Sequence, residues 1–347
     1  MIYCLALLWA FDGKLNFEPK LLLEPIPEET DLFLQNTSDL AMDEDGTIYV
    51  IDTRSVTVFV WHPDGKFKGN FGKQGQGPGE FSFRNAGGGK VSITKKHIYI
   101  FDGGTKNVSV FDKNMEFVRS FPLSVANGMV SVFNMTEDER MVVANSSWFS
   151  DVPYRMLAVY NPKGELLQEV QKIEDHTWKY GSEGGQRRVI LIPYATTMIA
   201  RYDDRNGNII VGDNATNQFD IVGLDGKKVR TLPLNMVRRD LIKEDQDEWN
   251  EQPWFQSQTF FKVEFPDRKP YYNRITPVGK DNYLVYVQSV YYNQCEGIYV
   301  SGKGETLGRF SMNLGENGGL FGSRGKLVAF TTDDEGEFTG QVLAPKR

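Results

Sequence analysis

Cysteine occurs only at Cys4 and Cys295, and histidine at three positions, in the 347-residue chain. Two isolated cysteines give neither a disulfide framework nor, on their own, a zinc site. His62 falls in a hairpin, His97 in a strand and His176 in an insertion, which speaks against a histidine-based metal centre. No long Lys/Arg run exists, and 39 basic against 46 acidic residues give a net charge of −7. That balance argues against nucleic acid and anionic membrane as main partners. No stretch approaches the ~18 consecutive apolar residues of a transmembrane helix. Nucleotide and hydrolase signatures are missing too. Gly72 to Gly79 (GKQGQGPG) lacks the Lys-Ser/Thr ending of a phosphate loop and precedes a strand, and no G-x-S-x-G occurs.

Apolar residues, in contrast, make up 40% of the chain, enough for a large core and incompatible with global disorder. Met1 to Phe11 (MIYCLALLWAF) is apolar and uncharged. Its length matches the apolar core of an export signal, although no basic residue precedes it. Residues 1–11 read as the remnant of such a signal, with a buried first strand or a disordered tail as alternatives.

Internal repetition decides the fold. A turn residue followed by a hydrophobic strand recurs as GTIYVID (46–52), KHIYIFD (96–102), ERMVVAN (139–145) and GNIIVGD (207–213), with weaker copies at 281–287 and 325–331. A second strand follows each, and five end in tight-turn sequences: HPDGK, DKNM, NPKGE, GLDGK and SGKGE. Glycine at such points supplies the positive φ that short hairpins require. With a strand before and after, each unit is a four-stranded antiparallel meander of about 40 residues, the period of a propeller blade. The expected fold is all-β, a six-bladed β-propeller. Its blades lie near 36–81, 82–123, 127–173, 190–234, 271–312 and 313–347, the last completed by an N-terminal strand in 15–24. Insertions interrupt it at 174–192 and 235–270. The Asp that ends the second strand (Asp52, Asp102, Asp213) reads as a backbone-capping residue.

Blade 1, GTIYVIDTRSVTVFVWHPDGKFKGNFGKQGQGPGEF (46–81), resembles an NHL repeat, and the whole chain resembles six-bladed, TolB-like propeller proteins abundant in Bacteroidetes. The resemblance implies a fold and an extracytoplasmic location, periplasmic or outer-membrane-associated. It implies little about activity. Related lactonases hold a divalent cation in the channel with acidic and Asn ligands, for which Asp39, Asn85 and Asn317 are the nearest candidates here.

In a propeller the first-to-second and third-to-fourth strand turns share one face, and these are short throughout. The long segments 145–155, 174–192, 235–270 and 288–296 all belong to the other face. They carry Trp148, Trp178, Trp249 and Trp254 beside Tyr180, Tyr291 and Tyr292. Such aromatics serve either as stacking platforms for sugar rings or a partner, or as a satellite core in which the insertions bury one another. Arg238 to Gln252 reads as a short polar helix with Leu241, Ile242, Asp245 and Trp249 on or near one face, a lid or a plain spacer. Arg84, Asn85, Tyr194 and Arg274 enter the innermost strands, where the two arginines can grip an anionic or polyhydroxyl ligand or bridge blades. The expectation is a monomeric, non-enzymatic binding propeller without a cofactor, engaging a glycan or an envelope protein partner. A metal-dependent lyase or lactonase-type hydrolase and a ligand-free scaffold are the alternatives.

Overall fold

The recurring apolar heptapeptides form strands buried on both faces, which is why they lack the alternation of a half-exposed sheet. In the computed structural model, these are the second strands of six four-stranded antiparallel sheets. The structure describes residues 14–346 apart from 84–87, 125–127, 148–149, 151, 184–185, 257–260, 288–293, 316–317 and 334–337. Blade 1 consists of Thr37–Met42, Ile48–Asp52, Thr57–Trp61 and Phe67–Phe71. Blade 2 spans 89–122, blade 3 130–174, blade 4 198–233 and blade 5 274–313. Blade 6 takes Gly319–Ser323, Lys326–Thr332 and Phe338–Pro345, and its outer strand is Phe17–Leu22, paired antiparallel from Phe17↔Pro345 to Leu22↔Gln341. Pro19 is tolerated in that strand because it sits on a sheet edge beside a register shift. The chain is a six-bladed β-propeller closed by its N-terminal strand.

The core is divided into six hydrophobic clusters, one between each pair of neighbouring blades. Side chains alternate across a strand, so Tyr49 and Ile51 pack toward blade 2 while Ile48 and Val50 pack toward blade 6. Trp61 seals the ring closure: its indole N–H donates to the Glu24 carbonyl at 2.8 Å, and its ring meets Phe67 and Phe330. Tyr272 does similar work between blades 4 and 5. Its hydroxyl donates to the Gln218 carbonyl at 2.7 Å and fills the space a Cβ on Gly212 would need, 2.1 Å away. That contact explains glycine in GNIIVGD where the equivalent strands carry Ile51 or Phe101.

The turn glycines behave as the sequence requires. Gly65, Gly164, Gly226 and Gly304 have φ of 86°, 81°, 76° and 87°, and Met115 takes the same left-handed place, φ 70°, in the DKNM turn. Asp52 accepts backbone N–H bonds from Gln35, Asn36, Arg54 and Ser55, fastening the incoming link to the turn that follows. Asp102 repeats this with Ser82 and Gly104. In blade 4 much of the task passes to Asn214, which accepts from Thr197 N–H at 2.6 Å and donates to the Tyr272 carbonyl. The capping role of these positions is structural.

Candidate functional site

Both long insertions contribute to one additional sheet outside the blades. Trp178–Glu183 and Gln186–Leu191 form an antiparallel hairpin, and Phe261–Val263 joins it in parallel. Directly paired residues share a face. The register Trp178↔Leu191↔Val263 and Tyr180↔Val189↔Phe261 therefore puts six apolar or aromatic side chains on one side. The other side carries Lys179, Arg188 and Lys262, with Ile190 lying where a Cβ on Gly181 would be. None of the six belongs to an interblade cluster. All but Val263 line a cavity of about 900 Å³ whose floor is the blade 3 and blade 4 side of the propeller.

The polar part of that floor is prearranged. Asp175 follows the outer strand of blade 3 and is 1% exposed, with its carboxylate accepting from Thr177 N–H at 3.1 Å, Thr177 Oγ1 at 2.8 Å and Thr197 Oγ1 at 3.4 Å. It also accepts from Arg155 Nε at 3.1 Å. Arg155 thus stands at the cavity wall with its Nε spent and its orientation fixed; its two Nη groups have no partner among the described residues.

The insertion helix closes one flank. Helix α1 (Lys243–Asn250) begins later than the polarity pattern suggests, because residues 239–241 pair with 267–269 through Leu241 N–H to Asp267 and Lys269 N–H to Arg239. Asp245 then caps the helix by accepting from the Ile242 N–H at 3.2 Å, and Ile242 itself is exposed. A buried Asp245–Lys269 ion pair sits beneath it, with the ammonium 5.5 Å from the Tyr194 ring. Tyr194 (φ 61°) donates to the Asp245 carbonyl and meets Trp249 edge-on at 6.3 Å. Tyr194 and Trp249 both reach the cavity.

Of the residues singled out in the sequence, Trp178, Tyr180, Tyr194 and Trp249 come together at this cavity, with Tyr180 edge-on to Trp178 at 5.2 Å. Arg274 does not line it: the guanidinium lies 3.8 Å from the Tyr286 ring centre and donates to the Leu320 carbonyl at 3.1 Å, joining blades 5 and 6. Burial pushes the Tyr286 phenol up despite that cation. Asp39 accepts from the Val91 N–H at 2.9 Å and so clamps blade 1 to blade 2. Trp254 belongs to the short helix α2 (Pro253–Gln256), but its side chain is outside the described part. Arg84, Asn85, Trp148, Tyr291, Tyr292 and Asn317 lie outside the described residues. Among the described residues no group of three or more His, Cys, Asp or Glu is arranged to hold a metal ion. Arg155, Asp175, Val189, Leu191 and Phe261 were missed. The alternations Trp178-x-Tyr180 and Val189-x-Leu191 around Gly184-Gly185 were the available signal for the hairpin.

The opposite end of the channel is pinched. Asp204 of blade 4 accepts from Ser323 Oγ at 2.9 Å and Arg324 N–H at 2.8 Å of blade 6, and Arg324 Nε donates to the Met42 carbonyl of blade 1 at 3.0 Å. A polar cavity of 290 Å³ remains there. Burial, assisted by the Asp204 charge, pushes the Tyr202 phenol up to about 12.

Residues 23–86 match the model of the DUF5128 family, described as a 6-bladed beta-propeller. That segment holds blade 1 and its flanks. Among solved structures, the chain is similar to a Bacteroides fragilis protein described as exported, with 12% identity, TM-score 0.58 and coverage of 96% of this chain and 95% of that one. It is equally similar to a member of the duf4221 family from Bacteroides vulgatus, with 12% identity, TM-score 0.58 and coverage of 97% and 99%. At this identity the likeness concerns the fold alone. The sequence matches no curated protein at a significant level. Among the described residues no helix is long and apolar enough to cross a membrane.

Proposed function

We propose that this chain is a non-enzymatic binding propeller of the NHL and TolB-like type, working in the bacterial cell envelope as a monomer. It takes its ligand, a glycan end or a group displayed by an envelope partner, beneath the insertion sheet. The observation that carries this reading is the 900 Å³ cavity, walled by Trp178, Tyr180, Tyr194 and Trp249 and set on a rigid ring. Its size falls within the range of small-molecule sites, and loops on a fixed scaffold are where such sites collect. An envelope location is supported by the apolar segment 1–11. The role needs no cofactor.

A thermal-shift screen against oligosaccharides and divalent cations, with and without chelator, tests the reading. The expected result is a rise in melting temperature with one ligand class, abolished in Trp178→Ala and indifferent to chelation. A melting drop on chelation that calcium or zinc restores would replace this reading with metal-dependent catalysis in the channel.

A further inference from the structure

Most of the cavity wall is aliphatic or aromatic, and several of its polar groups are used up within the protein, although the Trp178 indole N–H is buried without a partner among the described residues. Asp175 is saturated by Arg155, Thr177 and Thr197. Asn214 is spent on Thr197 and Tyr272, and the Ser146 hydroxyl exchanges bonds with the Met129 backbone. A neutral sugar buried here would leave many hydroxyls without partners, which is costly. The charged group among the lining residues with donors to spare is Arg155, 21% exposed, whose Nη groups have no partner among the described residues while Asp175 holds the guanidinium through Nε. A planar, oriented pair of donors at the edge of an apolar chamber is suited to two oxygens of a carboxylate. The apolar face of the insertion sheet, part of no interblade cluster, supplies the surface for the rest of the molecule.

We propose that the cavity binds a small amphiphilic carboxylic acid, with its carboxylate on the Arg155 Nη groups and its apolar body against Trp178, Val189, Leu191 and Phe261. Enclosure between sheet and propeller favours a free small molecule over a flat partner surface. The proposal rests on the cavity being the ligand site and narrows what enters it.

Calorimetric titration of the full chain with dodecanoate, dodecan-1-ol, a neutral oligosaccharide and a uronate-containing one tests it. Dodecanoate is expected to bind roughly tenfold or more tightly than dodecan-1-ol, the scale of charge-assisted hydrogen bonds. Arg155→Gln should erase that difference while leaving dodecan-1-ol binding unchanged. Leu191→Trp, which fills the chamber without touching the ion pair, should weaken both, so the proposal stays open to test if Arg155→Gln does not fold. Equal wild-type affinities for acid and alcohol would overturn the carboxylate anchor while leaving the cavity as a binding site. Binding of an oligosaccharide with neither amphiphile would overturn the narrowing and keep the broader reading. Silence from all four probes would count against both.

Discussion

The two ends of the channel start from the same six inner strands and finish opposite in character. At the short-turn end, Asp204, Ser323 and Arg324 bond across the channel and leave 290 Å³. At the other end, two insertions add a sheet that overhangs 900 Å³ without filling it. Short turns bring polar backbone and charged side chains close enough to satisfy one another. Long insertions carry their own apolar face, and here that face joins no interblade core and lines a cavity instead. The closed end spends its polar groups on holding blades together; the open end keeps one oriented cation and a wall of rings in reserve.

The contrast is sharpest at the Arg155–Asp175 pair, which serves both stability and site. Asp175→Ala leaves a guanidinium without its partner and orphans the Thr177 and Thr197 donors, so urea unfolding should show a loss of about 3–5 kcal/mol. At the closed end, Asp204→Ala should cost about 1–3 kcal/mol in the same assay and leave ligand affinity at the open end unchanged. A change in that affinity would mean the two ends are coupled. The turns of the closed face grade further. Gly164→Ala meets only left-handed strain, about 1 kcal/mol, whereas a Cβ on Gly65 comes within 2.4 Å of the Leu22 carbonyl and should cost clearly more by melting temperature. The smallest effect belongs to the overhanging sheet: Leu191→Ala should cost less than about 1 kcal/mol, against about 2–5 kcal/mol for Leu284→Ala in an interblade core. Similar losses at both positions would show that the sheet packs as core.

The ring was legible because its signals are local and repeated. GTIYVID and KHIYIFD each carry strand, turn and capping Asp within a few residues, and the hairpin glycines mark their own φ. The candidate site was legible only in part. Trp178 and Tyr194 stood out by type, yet the pairing of Val189 with Phe261 joins segments about 70 residues apart in sequence, and nothing near either announces the other. Arg155 begins a strand as an ordinary charged residue; only the return of the chain through Asp175 and Thr197 gives it an orientation. Arg274 misled for the converse reason, since a strand-start arginine reads the same from sequence whether it faces a chamber or lies on Tyr286. The α1 start was misplaced because residues 239–241 pair with 267–269, a contact that helical periodicity does not contain.

The closing strand has a mechanical consequence. Phe17 lies opposite Pro345, so the two ends of the pairing leave the ring side by side. Tension applied between a tether before Phe17 and one after Pro345 would load the ladder one hydrogen-bonded pair at a time, as a zipper is opened, instead of shearing all pairs together. A ring whose six interblade cores resist heat together would then yield to modest pulling force, starting at blade 6.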